Sequence, residues 1–239
     1  VFVLSIGKFF QLLLLFIAVK VFTTLLSDVE VGNLILILSI TMFFGLALIN
    51  PVGSFINREL NNWVDRKAIW EHFFKFNAYV IFVSFLAFMV PMLLSVIGVG
   101  QSIDALYFSI VVSLFVFFNT WNQTLIPSIN LLFHRKAFVF FTLISVILYL
   151  SFSSLFVFFI DASAIWWLIG QMTGLALGAL FSWIYLLRFL PKETHSSFFS
   201  FSFSDIKTVV RFSLPIALAT LLLWVIGNAY KLLIDYQLG

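Results

Sequence analysis

Two lysines, Lys20 and Lys231, lie inside long apolar runs of this sequence. An ammonium at membrane depth is costly, so it normally faces protein, a water-filled cavity or the interface. Around Lys231, the residues Thr220, Trp224, Asn228, Lys231 and Asp235 recur at i, i+4, i+8, i+11 and i+15. That spacing is one narrow stripe of a helix. Asn119, Asn122, Gln123 and Asn130 share a face of another run, with Pro127 beside them. Ser39, Asn50, Ser54 and Asn57 share a third face, which ends in Arg58 and Glu59. Lys20, Thr23, Thr24 and Ser27 make a fourth. Amide and hydroxyl stripes fit two roles. They glue helices together at ~0.6 kcal/mol per hydrogen bond, or they line a polar cavity. The lysines also fit two roles: each snorkels to the interface, or the pair lines a wet cationic cavity. Asp235, one turn beyond Lys231, is spaced to neutralise it. The matching depth of the two lysines favours the cavity.

Composition defines the elements that must position these groups. Of 239 residues, 63% are hydrophobic and 10% charged, with 33 Phe and a mean hydropathy of +1.15. A soluble domain carries ~25% charged residues and needs a polar shell. The expected fold class is therefore an all-α polytopic membrane protein. Soluble enzymes, nucleic-acid binders and disordered chains are excluded. A spanning helix needs ~20 mostly apolar residues. Seven runs qualify, at 9–26, 34–55, 73–97, 106–133, 137–160, 165–190 and 209–238. They are too long for barrel strands and lack period-two alternation. Cys is absent, so no disulfide or thiolate metal site is expected. None of His72, His134 and His195 has a partner spaced for a metal, and no cofactor is expected. His72 beside Glu71 and His134 beside Arg135 read as solvated loop residues. The net charge of +3 reads as anchoring at one membrane face, with no nucleic-acid partner.

The basic residues alternate by loop. Lys8 precedes the first run. Arg58, Arg66, Lys67 and Lys75 follow the second, Arg135 and Lys136 the fourth, and Arg188, Lys192, Lys207 and Arg211 the sixth. The other loops carry Asp28, Glu30, Asp104 and Asp161 with no Lys or Arg. By the positive-inside rule the N-terminus is cytoplasmic and the seventh span ends outside. Trp63 and Trp70 are seven residues apart. This makes 57–75 either a cytoplasmic, partly helical segment lying on the headgroups or an ordinary solvated loop. Gly170, Gly174 and Gly178, spaced by four, read as a close-packing face. Pro51, Pro91, Pro127 and Pro215 fall within spans and predict kinks.

Residues 12–32 and 220–239 share a Leu run, a lysine about two turns later and an acidic, Gly-marked exit. Both enter from one side, as in a parallel repeat about the membrane normal. FTTLLSDVEVGN (22–33), GSFINRELNNW (53–63) and FSLPIALATLLLW (212–224) carry a resemblance to a known family. The chain resembles the polysaccharide flippases of the multidrug/oligosaccharidyl-lipid/polysaccharide exporter superfamily, the O-antigen branch in particular. Ser27 and Asp28 stand where many relatives show Leu-Gly-Pro. The resemblance implies a six-helix N-terminal lobe over 1–200 and the start of a second lobe over 201–239, within a longer protein. It implies a non-enzymatic transporter of the cytoplasmic membrane that translocates an undecaprenyl-pyrophosphate-linked repeat unit for surface polysaccharide synthesis. Its partners would be that lipid-linked oligosaccharide, membrane lipids and the polysaccharide-polymerising machinery. Lys20, Lys231 and Arg58 are the candidates for the pyrophosphate, and Asn119, Asn122, Gln123 and Asn228 for the sugars. A multidrug exporter would want an intramembrane carboxylate, and no Asp or Glu lies at the middle of a span. A seven-helix photoreceptor would need its N-terminus outside. A membrane enzyme would need an interfacial catalytic cluster, which the sequence does not offer.

Overall fold

The computed structural model describes residues 2–190 and 203–238. Over the described residues the chain is an all-α membrane protein, with seven helices long and apolar enough to span a bilayer. They are built from α1 (Phe2–Leu25), α2 (Asp28–Phe43), α3 (Asn50–Asp65), α4 (Ile69–Val96), α5 (Ala105–Leu131), α6 (Arg135–Phe159), α7 (Ala164–Phe189), α8 (Phe203–Trp224) and α9 (Tyr230–Leu238). A π turn, Phe44–Ile49, fuses α2 to α3. A second, Val225–Ala229, fuses α8 to α9. Successive spans run in opposite directions. The acidic loops meet at one end of the bundle, where Glu30 Oε2 accepts from Ala164 N at 2.6 Å and Ser102 Oγ donates to Asn33 Oδ1 at 2.7 Å. The expected division near residue 200 lies outside the described residues.

The acidic loops start helices. Ser27 Oγ accepts from Glu30 N at 3.4 Å, and Asp28 and Glu30 sit in the first turn of α2. There they favour the positive end of the helix dipole. Asp104 accepts from Leu106 N and Tyr107 N at 3.0 and 3.1 Å and starts α5. The loop between α4 and α5 turns through Gly98 and Gly100, whose φ values of 95° and 72° suit glycine.

Helix α5 is central and packs on α4, α6 and α7. Helix α1 lies outside, mainly on α6. The glycine stripe of α7 meets the α6 backbone. A Cβ on Gly174 would come within 2.2 Å of Tyr149 Cα, and one on Gly170 within 2.5 Å of Ser153 Cα. The close-packing reading of this stripe is therefore borne out. The bundle's outer surface is apolar, with Phe2, Phe16 and Phe158 each at least 74% exposed, as hydrocarbon surroundings allow.

The seventh span packs mainly on α2, α3 and the π turn between them. Pro51 explains the chemistry of this contact. In the π turn, Asn50 N–H bonds Gly45 O, five residues back. The next donor in that ladder would be residue 51, but proline has no N–H. The Leu46 carbonyl is left open, and Thr220 Oγ1 donates to it at 2.6 Å. Tyr79 OH donates to Leu48 O at 2.9 Å, and Ser213 Oγ to Pro51 O at 3.1 Å. Thr220 thus covers the carbonyl that Pro51 leaves open, and two further hydroxyls reach carbonyls beside it. We expect Thr220→Val to cost about 1 kcal/mol, near the upper part of the range for membrane hydrogen bonds, and Thr220→Ser to cost little. Thermal unfolding in detergent checks this, and an unchanged midpoint for the valine variant would refute it.

The segment 57–75 is partly helical as expected, but its two tryptophans do not share a face. Helix α3 runs on to Asp65, and the chain reverses within Arg66–Ala68, where Lys67 has φ 56°. Trp63 and Trp70 therefore belong to different helices. Trp63 is buried and stacks on His72, with ring centres 4.0 Å apart and planes 10° apart. It faces protein instead of headgroups. His72 is consequently no solvated loop residue. His134 is half-buried, with Nδ1 2.8 Å from the Tyr185 hydroxyl and its ring against Phe189. The second span also starts earlier and ends later than 34–55, because capped Asp28 and the amphipathic α3 extend it at both ends.

Candidate functional site

Lys231 and Asn228 come together on the seventh span. Lys231 is half-buried and its Nζ donates to Asn228 Oδ1 at 2.8 Å. Asn228 is buried in the second π turn. The expected neutralisation by Asp235 is not what the geometry shows. Asp235 Oδ2 accepts instead from Gly100 N at 2.6 Å, which ties the end of this span to the α4–α5 loop. The stripe above it faces the second span: Trp224 Nε1 donates to Ser39 O at 2.8 Å. An ammonium has three donors. Lys231 uses one on Asn228 and makes no ion pair among the described residues.

The other candidates do not join this pair. Arg58 is exposed at the basic end, 3.6 Å from Glu59 and over the Phe212 ring at 5.4 Å. Lys20 is exposed on α1, on the helix face that also carries Phe9 and Phe16. That face turns away from α6 and the bundle. Gln123 is exposed and Asn119 half-buried on α5.

Asn122 is a correction. It is buried, and its Nδ2 donates to Ser145 Oγ at 2.7 Å and Leu175 O at 3.1 Å. It joins α5, α6 and α7 at the place where Gly178 lets them approach, and is not available to a sugar. Of the two roles open to this stripe, Asn122 takes the gluing one.

Sequence reasoning missed an aromatic crevice. A space of ≈ 290 Å³ opens between α4 and α7, with α5 as its floor. Its walls include Trp70, Phe73 and Asn77 of α4, Trp121 and Leu125 of α5, and Trp183 of α7. Trp121 Nε1 donates to Asn77 Oδ1 at 2.8 Å, and the Trp70 and Trp183 rings meet at 4.9 Å. No spacing within one run could reveal it, since three separate spans contribute one tryptophan each.

Fold and surface define a multi-pass α-helical membrane protein with a polar seam between its second and seventh spans. Comparison with protein-family models, with curated proteins and with solved structures returned no match. Among the described residues no cluster of His, Asp or Glu could hold a metal ion.

Proposed function

We propose that this chain translocates a lipid-linked oligosaccharide, an undecaprenyl-pyrophosphate-linked repeat unit, across the cytoplasmic membrane. The observation that supports this most is Lys231. It is a half-buried cation on a helix that packs against the rest of the bundle chiefly through one span, with donors left over for an anion. Such a cation suits a pyrophosphate entering at the seam. The hydroxyl and carbonyl contacts of Thr220, Trp224 and Ser213 along that seam can exchange partners as helices rock. Bare apolar packing offers no such alternatives. No covalent step is required, because alternating exposure of the seam to the two leaflets moves the cargo. The amides at the exposed α5 and α3 faces, Gln123 and Asn57 among them, suit glycan hydroxyls.

On this proposal the basic end is cytoplasmic. An Asp161→Cys variant should react with an impermeant maleimide in intact cells, and a Lys136→Cys variant should not. Both positions are exposed, and the chain has no other cysteine. The reverse pattern would invert the topology. The function itself is tested in proteoliposomes that carry a fluorescent polyprenyl-pyrophosphate oligosaccharide in both leaflets. The protein should expose inner-leaflet label to an external impermeant quencher faster than protein-free vesicles do. Equal rates would sink the assignment.

A further inference from the structure

The crevice between α4 and α7 has no part in the seam at Lys231. We infer that it seats a segment of an unsaturated isoprenoid tail, which enters sideways from the leaflet at the basic end. The inference rests on the reading of the cargo as polyprenyl-linked.

The crevice is built to stay open. Helices α4 and α7 both pack on α5 but meet each other chiefly through Trp70 and Trp183. Trp121 stands between them, its indole N–H fixed by Asn77 and its ring 5.7 Å from that of Trp183. These contacts prop the walls apart. The lining is almost wholly aromatic and aliphatic, so water gains little there. A space lined this way takes up an apolar chain.

Which chain is decided by shape. A tail moving from bilayer to crevice leaves one apolar medium for another, so the hydrophobic effect favours none. Dispersion and ring contact remain. A saturated acyl chain is slim and uniform. An isoprenoid has a methyl branch and a planar double bond in every unit, and both lie well against ring faces. The volume of ≈ 290 Å³ falls just below the ~300–1,000 Å³ of ligand pockets, so it fits a few units and not a whole tail. Charge agrees. Exposed Arg66, Lys67 and Arg188 stand at the same end of the bundle, where the phosphate head of such a lipid would lie.

The test uses the whole protein in nanodiscs of phosphatidylcholine and phosphatidylglycerol. One photoprobe is geranylgeranyl phosphate bearing a diazirine; the other is phosphatidylglycerol with a diazirine on a palmitoyl chain. The isoprenoid probe should label peptides around Trp70–Asn77 and Trp183, and unlabelled geranylgeranyl phosphate should compete. Thr124→Trp fills the crevice and should cut this labelling about fivefold, the order expected when a handful of dispersion contacts is lost. Asn77→Leu, which releases the Trp121 wall, should cut it too and serves if the first variant fails to fold. Equal labelling by both probes, or undiminished labelling in the folded variants, would overturn the inference. Labelling at the crevice without translocation in proteoliposomes would sink the flippase reading and keep the site. Translocation without labelling would do the opposite.

Discussion

Gly174→Leu should leave little folded protein, and Gly174→Ala should already lower the unfolding midpoint clearly. A single Cβ at this position would stand 2.2 Å from both Cα and N of Tyr149. Those are backbone atoms of a neighbouring helix, so no side-chain rotation relieves the clash. The helices must separate. Separation would also strain Ser153 Oγ→Trp167 O, the hydrogen bond that crosses the same interface at 2.8 Å. Overpacking in a tight core costs about 1–3 kcal/mol, and the loss of one membrane hydrogen bond adds ~0.6 kcal/mol. Gly53 is the internal control. Nothing lies within 4 Å of a Cβ built there, and it sits inside a helix. Gly53→Ala should therefore hold or raise stability, by up to ~1 kcal/mol. The measurement is the fraction of detergent-purified protein that stays monodisperse after heating. A Gly174→Ala variant that melts with the unsubstituted protein would refute close approach of α6 and α7.

The contrast between these glycines shows what could be read from sequence. Gly170, Gly174 and Gly178 announce a packing face because their spacing of four puts them on one side of a helix, whatever the partner. The spans were legible for a similar reason, since hydropathy is a local property. What failed depended on partners distant in sequence. Asn122 shares a face with Gln123, yet one is buried among α6 and α7 and the other is exposed. Helical spacing says which residues lie together and not what lies opposite. Trp63 and Trp70 kept helical spacing across a chain reversal that no glycine or proline marks, because Lys67 itself takes the positive φ. The π turn was half legible: Pro51 predicted a fault in the backbone ladder, but not that Thr220 would cover it. The aromatic crevice, assembled from three spans, left no trace along the chain.

For Lys231 the charge itself is the element expected to matter. Lys231→Ala should lose most transport with little loss of folded protein, and Lys231→Arg should keep part of it. A hydrogen bond to a charged group is worth about 1.5–3 kcal/mol, so losing one to a pyrophosphate implies a drop of roughly ten- to a hundredfold. Folding should suffer less, because Nζ donates to Asn228 at 2.8 Å and lies over the Tyr230 ring at 6.0 Å, both on its own span. Asp235, committed to Gly100 N, does not depend on the lysine. Lys20→Ala should cost less transport than Lys231→Ala. Its ammonium shares an exposed face with Phe9 and Phe16 and is free to reach interfacial water along its own stem. Surface glycan display at matched expression levels reads both variants. Wild-type display in a Lys20→Ala/Lys231→Ala double variant would eliminate the cationic mechanism. A loss confined to Lys20→Ala would move the anion site off the seam and onto the outer face of α1. Arginine separates charge from shape, since it keeps the positive charge that an anion needs but presents a broader head beside Asn228. An arginine variant as inactive as the alanine one would make geometry, and not charge, the property under selection.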